Sequence, residues 1–167
     1  RKIAVAACFL AFFDESFDNG SDGQQFEMEI INHQRSTLTG TPEGPKNPYD
    51  SSWVGWDISN FGDDKEKYRW NFMIKNHREQ DDYSRIIQFA KSFDLTGAAL
   101  DAATQQLMDV DEWMWYYAIV SLTGNRDVYT SPDFGAAAHN MRLFINPEDG
   151  KVLTLPWDQD YSFVAPI

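Results

Sequence analysis

Apolar and polar positions alternate along Gln25–Asn32, where Phe26, Met28 and Ile30 stand against Glu27, Glu29 and Ile31, and this two-residue period predicts a β-strand. Further on the period lengthens. Tyr83–Phe93 carries Ile86, Ile87, Phe89 and Ala90 at helical spacing, and Gly97–Met108 reads as a second, weaker helix rich in Ala and Gln. Asp109–Leu122 is the clearest helix. Asp109 can cap it with Glu112 three residues later, a capping-box pattern, and Val110, Trp113, Met114, Tyr117 and Ser121 fall on one face expected to pack in the core. After a loop over Gly124–His139, Met141–Ile145 and Lys151–Leu155 form a hairpin around the turn Asn146-Pro147-Glu148-Asp149-Gly150.

The remaining stretches are less regular. Ile3–Phe17 is apolar and predicted helical, and Asn19-Gly20 with Asp22-Gly23 marks a turn. Ser36–Asp64 holds Pro42, Pro45 and Pro48 and reads as a long loop or insertion. Tyr68–Lys75, mixed and aromatic, is expected to be a strand. These elements together predict an α+β fold.

Composition narrows the partners. A chain of 167 residues, 43% of them hydrophobic, can build one domain with a real core. A net charge of -12 repels phosphate backbones and anionic bilayers, so nucleic acid and membrane insertion are both excluded as expectations. The same charge suits a basic protein partner or divalent cations, and equally serves solubility alone. The single cysteine, Cys8, sits in an apolar run, so an intramolecular disulfide is impossible and the redox compartment stays open. Ile3–Phe13 is too short to span a bilayer, and it runs on without a small-residue cleavage pattern. Both ends look cut, as in a fragment of a longer protein.

The chemistry is best sought at the C-terminal end. There is no Walker-A loop, no Gly-x-Gly-x-x-Gly, no Gly-x-Ser-x-Gly and no His-Glu-x-x-His, and His33, His77 and His139 are scattered. What remains is a set of carboxylates beside aromatics. Asp158 and Asp160 are two apart, so in an extended segment both would face one ion while Trp157 turns to the core. A hard cation such as Mg²⁺ takes oxygen ligands of this kind, completed by phosphates; a solvated acidic turn is the plainer alternative. The order of parts adds to this: a helix ending at Gly124-Asn125, then Asp127, then Asn140 opening a hairpin, then Asp158 closing it. Phosphoryl-transfer enzymes of the protein-kinase type place a base Asp, a metal-binding Asn and a metal-binding Asp in that order.

Pro156-Trp157-Asp158-Gln159-Asp160, preceded by Gly124-Asn125-Arg126-Asp127 and Asn140, resembles the signature of the CotH family of spore-coat atypical protein kinases. The stretches Asp109-Val110-Asp111-Glu112-Trp113 and Tyr68-Arg69-Trp70-Asn71-Phe72 are also similar, as are Ile74-Lys75-Asn76-His77 and Asp81-Asp82-Tyr83-Ser84. Asp18–Gly23 with Phe26-Glu27-Met28-Glu29 looks like longer, multidomain bacterial members. The resemblance implies an atypical protein-kinase-like fold: a truncated N-terminal lobe and a helical C-terminal lobe with a catalytic β-hairpin. It implies one such domain over residues 1–167, incomplete at the N-terminus and at the C-terminus, secreted or at the cell surface.

The implied activity is transfer of phosphate from ATP, with Mg²⁺ (or Mn²⁺ or Ca²⁺), to Ser or Thr of a protein substrate. Asp127 would be the catalytic Asp, with Asp133 its rival; Asn140 and Asp158 would be metal ligands, and Asp160 a further ligand or a residue behind them. The nucleotide-binding residues are unknown, with Lys75 either a candidate or an exposed surface lysine. In the family the Asp and Asn lie close together; here Val128–His139 intervenes, read as an insertion that loops out and leaves Asp127 and Asn140 adjacent. A kinase-like module without catalysis, acting in a coat or in adhesion and stabilised by Ca²⁺, is the competing class.

Overall fold

The computed structural model describes residues 22–28, 31–32, 53–54, 58–69, 71–125, 127, 140–160 and 162–163. Expectations for Ile3–Phe17, Cys8, His33, Asp133, His139 and the Val128–His139 excursion lie outside these residues.

Four strands form an antiparallel sheet in the order β4-β1-β5-β6: β1 (Gln24–Met28), β4 (Met73–Ile74), β5 (Met141–Ile145) and β6 (Val152–Pro156). Strands β2 (Ile31–Asn32) and β3 (Trp53–Val54) pair separately; β3 is a two-residue strand within Ser36–Asp64, the stretch expected to hold little regular structure. One sheet face carries Phe26, Met28, Met141, Leu143 and Val152 into a core shared with Tyr83, Ile86 and Phe89 of the first long helix region and with Leu107 and Trp113. The hairpin turn is held by local bonds: Gly150 N–H donates to the Asn146 carbonyl (2.8 Å), and Glu148 N–H donates to the Asn146 side chain (3.0 Å).

The helices are α1 (Glu66–Arg69), α2 (Ser84–Ser92), α3 (Gly97–Leu107) and α4 (Val110–Thr123). Among the described residues no helix is long and apolar enough to cross a membrane. The single strand expected over Tyr68–Lys75 is instead the end of α1 followed by the short β4. Two side chains decide this. Tyr68 is fully buried and its hydroxyl donates to the Gly62 carbonyl (3.0 Å) while accepting from Phe61 N–H (2.9 Å). Arg69 bonds Glu66 one turn back (2.9 Å) and Asp81 across the loop (2.8 Å), and its guanidinium holds the Asp81 carboxyl below the usual carboxylate range.

Helix α4 sets the position of the hairpin. Asp109 caps it as expected, accepting from Glu112 N–H (3.1 Å). The Glu112 carboxylate reaches across to the sheet, where Oε2 accepts from Thr154 N–H of β6 (3.0 Å). Next to it, Trp113 Nε1 donates to the Val152 carbonyl (2.8 Å). The buried face is Trp113, Tyr116 and Val120, whereas Val110, Met114 and Ser121 of the expected stripe are exposed. The reason is that α4 is apolar on nearly every side, so periodicity alone does not choose a face; the bonds to β6 do.

Burial pushes the Glu112 carboxyl up to about 7, against the Thr154 N–H that lowers it and with Asp109 adding to the rise. The folded protein therefore holds this proton more tightly than the unfolded chain, and stability falls as pH rises from the ordinary carboxyl range to about 7. Glu112→Gln keeps an acceptor for Thr154 N–H and removes the charge. Thermal melting across pH should show the Gln variant equal to the parent near about pH 4 and more stable by about 2 kcal/mol or more at about pH 8. A constant difference at all pH values would refute the account.

Candidate active site at the mouth of the hairpin

Helix α4 ends in a left-handed glycine. Gly124 has φ 62°, its N–H donates to the Ser121 carbonyl (3.3 Å), and Asn125 N–H donates to the Val120 carbonyl (3.3 Å). This C-terminal motif turns the chain sharply off the helix. The buried Asn125 side chain then accepts from Asp127 N–H (2.9 Å), and its Nδ2 has no partner among the described residues.

The buried Asn140 amide donates to the Asp127 carbonyl (2.7 Å). The chain thus leaves at Asp127 and returns at Asn140 to the same place. The backbone N–H and carbonyl of Asp127 are both held, one by each Asn. Nδ2 of Asn140 is committed to this bond, and Oδ1 is the oxygen donor of the same amide.

The hairpin register supplies the third residue. Met141 pairs with Pro156, so Asn140 stands opposite Trp157 and Asp158 follows at the same end. A further bond from Phe163 N–H to the Thr123 carbonyl (2.7 Å) ties the segment after Asp158 to the end of α4. Asp127 and Asn140 are thus in contact, and Asp158 follows two residues after Pro156 at the same end of the hairpin.

Both Asn140 (φ 57°) and Asp158 (φ 48°) adopt the left-handed backbone. Such a residue costs about 1 kcal/mol or more relative to the ordinary regions, least for Asn and Asp. The segment is consequently not extended at Asp158, and the expected alternation that would aim Asp158 and Asp160 at one ion does not apply; Asp160 lies exposed in the following turn. Trp157 does not enter the helical core but lies half-buried under the Arg142 guanidinium, 3.2 Å from the ring centroid.

The donor set fits a hard cation. An amide oxygen and a carboxylate on a rigid frame match Mg²⁺, which takes one or two carboxylates and fills its shell with water and substrate phosphate. Among the described residues no three His, Cys, Asp or Glu side chains gather into a cage.

A charged cluster that the sequence did not reveal lies on the sheet face turned away from the helices. Arg142 donates to Glu27 Oε2 through Nε (3.1 Å) and Nη2 (2.8 Å), and Lys75 Nζ lies 3.1 Å from the same carboxylate. Glu27 and Arg142 are direct cross-strand partners and both are buried. Lys75 is thus an ion-paired residue, not a free surface lysine. The available signal was opposite charges at alternating positions of two strands otherwise apolar, Glu27 in β1 and Arg142 in β5. His77, by contrast, lies beyond β4 with Glu79 at 3.9 Å, outside the hairpin mouth.

A family model described as CotH kinase protein matches residues 25–166. No curated protein and no solved structure matches the chain.

The cluster sets an asymmetry that urea unfolding can read. Glu27→Gln leaves two cations without a counter-charge and should lower stability by about 3 kcal/mol, the loss typical of removing one partner of a buried pair. Lys75→Met, whose side chain is 30% exposed, should cost no more than about 1 kcal/mol. Equal losses would contradict the burial difference.

Proposed function

The chain belongs to the CotH kinase family, and we propose that it transfers the γ-phosphoryl group of ATP, with Mg²⁺, to a Ser or Thr hydroxyl of a protein substrate. The observation that carries this reading is the bond from Asn140 Nδ2 to the Asp127 carbonyl, which gathers the loop Asp and the Asn beside the strand that delivers Asp158.

Asp127 accepts the proton of the substrate hydroxyl as that oxygen bonds to the γ-phosphorus and the bond to ADP breaks. Its backbone, held at N–H and carbonyl, keeps the carboxylate from swinging away. Asn140 and Asp158 are the oxygen donors for the cation, with Asp160 in the next turn a carboxylate behind them. When bound, the cation neutralises charge on the phosphates. Lys75, steered by Glu27, is a cation for the donor phosphates. The net charge of -12 favours a basic segment around the acceptor residue.

The test is transfer from labelled ATP to a basic Ser-containing protein, with and without Mg²⁺. Asp158→Asn is the preferred variant because Asn tolerates the left-handed backbone that Ala resists. It should reduce transfer by about a hundredfold or more and leave the metal-free melting temperature unchanged or slightly raised. Parental activity in Asp158→Asn would remove the assignment. A parent protein without transfer activity that gains stability with Ca²⁺ would establish the non-catalytic module instead.

A further inference from the structure

Trp157 precedes the proposed metal ligand and is clamped from the sheet. The Cζ of the Arg142 guanidinium lies over its indole, 3.2 Å from the ring centroid, and the same guanidinium is gripped by Glu27 through Nε and Nη2 (3.1 and 2.8 Å). Glu27 belongs to β1 and Arg142 to β5, the two inner strands, so the clamp is rooted in the most rigid part of the sheet. On the other side of Asp158, the Gln159 side chain donates back to the Trp157 carbonyl (2.9 Å), and Ser162 N–H donates to the Gln159 carbonyl (3.0 Å). Asp158 sits between these two restraints with φ 48°. A left-handed Asp persists only where its surroundings hold it, and here the holding groups can be named.

We propose that Glu27, Arg142 and Trp157 form a strut that positions Asp158 for the cation. They are positioning residues: none touches the reacting atoms, and their effect passes through Asp158. The strut rests on the reading of Asp158 as a metal ligand. An indole is suited to the task because it offers a broad flat face to the guanidinium. Its backbone is continuous with Asp158, so holding the ring restrains the backbone from which the carboxylate hangs. Loss of a group that orients a ligand lowers metal affinity by about tenfold to a hundredfold in metal sites generally.

The test is Mn²⁺ affinity of the protein, read by water-proton relaxation without nucleotide, alongside metal-free melting temperature. Trp157→Leu should weaken Mn²⁺ binding about tenfold, whereas Trp157→Phe, which restores a flat ring for Arg142, should stay within about twofold. Arg142→Lys keeps the charge for Glu27 but not the flat face; it should weaken Mn²⁺ in the same direction, and it carries the comparison if Trp157→Leu does not fold. In an Asp158→Asn background, Trp157→Leu should cause no further loss. A Trp157→Leu protein with lowered melting temperature and parental Mn²⁺ affinity would show the stack to be structural only and overturn the proposal. So would an equal loss in both backgrounds. If Asp158→Asn alone leaves Mn²⁺ affinity unchanged, the ligand reading falls and the strut falls with it. If Asp158→Asn abolishes binding while Trp157→Leu does not alter it, the strut alone is wrong.

Discussion

Strand β5 is hydrogen-bonded on both sides, to β1 and to β6, and its side chains alternate between two buried faces. A slip of one residue would send Arg142 into the helical core and Leu143 out to the charged face, because the period of a strand is two. Burying Arg142 without Glu27 would strand a charge, and the penalty for that is several kcal/mol. The ion pair forms only when Glu27 stands opposite Arg142. That same register sets Met141 against Pro156 and brings Asn140 and Asp158 to one end. The position of the proposed site therefore follows from a pairing choice made at the centre of the sheet.

Helix α4 transmits the constraint to the third residue. Asp109 starts it, the Glu112 carboxylate and the Trp113 indole bind adjacent backbone groups of β6, and Gly124 ends it in a left-handed turn. The helix is anchored to β6 through its first turn and tied at its last residue, Thr123, to Phe163 N–H, so its end lies beside the segment that follows β6. The excursion from Asp127 to Asn140 can then vary in length, since its two ends are fixed by Asn125 and Asn140 and not by the loop itself.

Left-handed backbone occurs at both proposed ligand positions, as it does at His77, Asp81 and Phe163. Asn140 and Asp158 both carry left-handed backbone at the hairpin mouth, while the strands between them are regular. Asn and Asp tolerate this conformation better than other side chains apart from Gly, and they also offer oxygen donors. The two requirements coincide in the same residue types.

The sequence alone determined the local elements and their order. The hairpin with its Asn146–Gly150 turn and the helices beginning near Tyr83, Gly97 and Asp109 were legible, because each depends on neighbours a few positions away. Tertiary structure decided the rest. It chose Trp113, Tyr116 and Val120 as the inner face of a helix apolar all round, and it broke Tyr68–Lys75 into a helical turn and a short strand through Tyr68 and Arg69. It also turned Glu112 to β6, bent the chain at Asp158, and paired Glu27 with Arg142 across 115 positions of sequence. Periodicity reports which residues can share a face. Which face is buried, and which distant charge answers a given one, depends on contacts between elements that no local window contains.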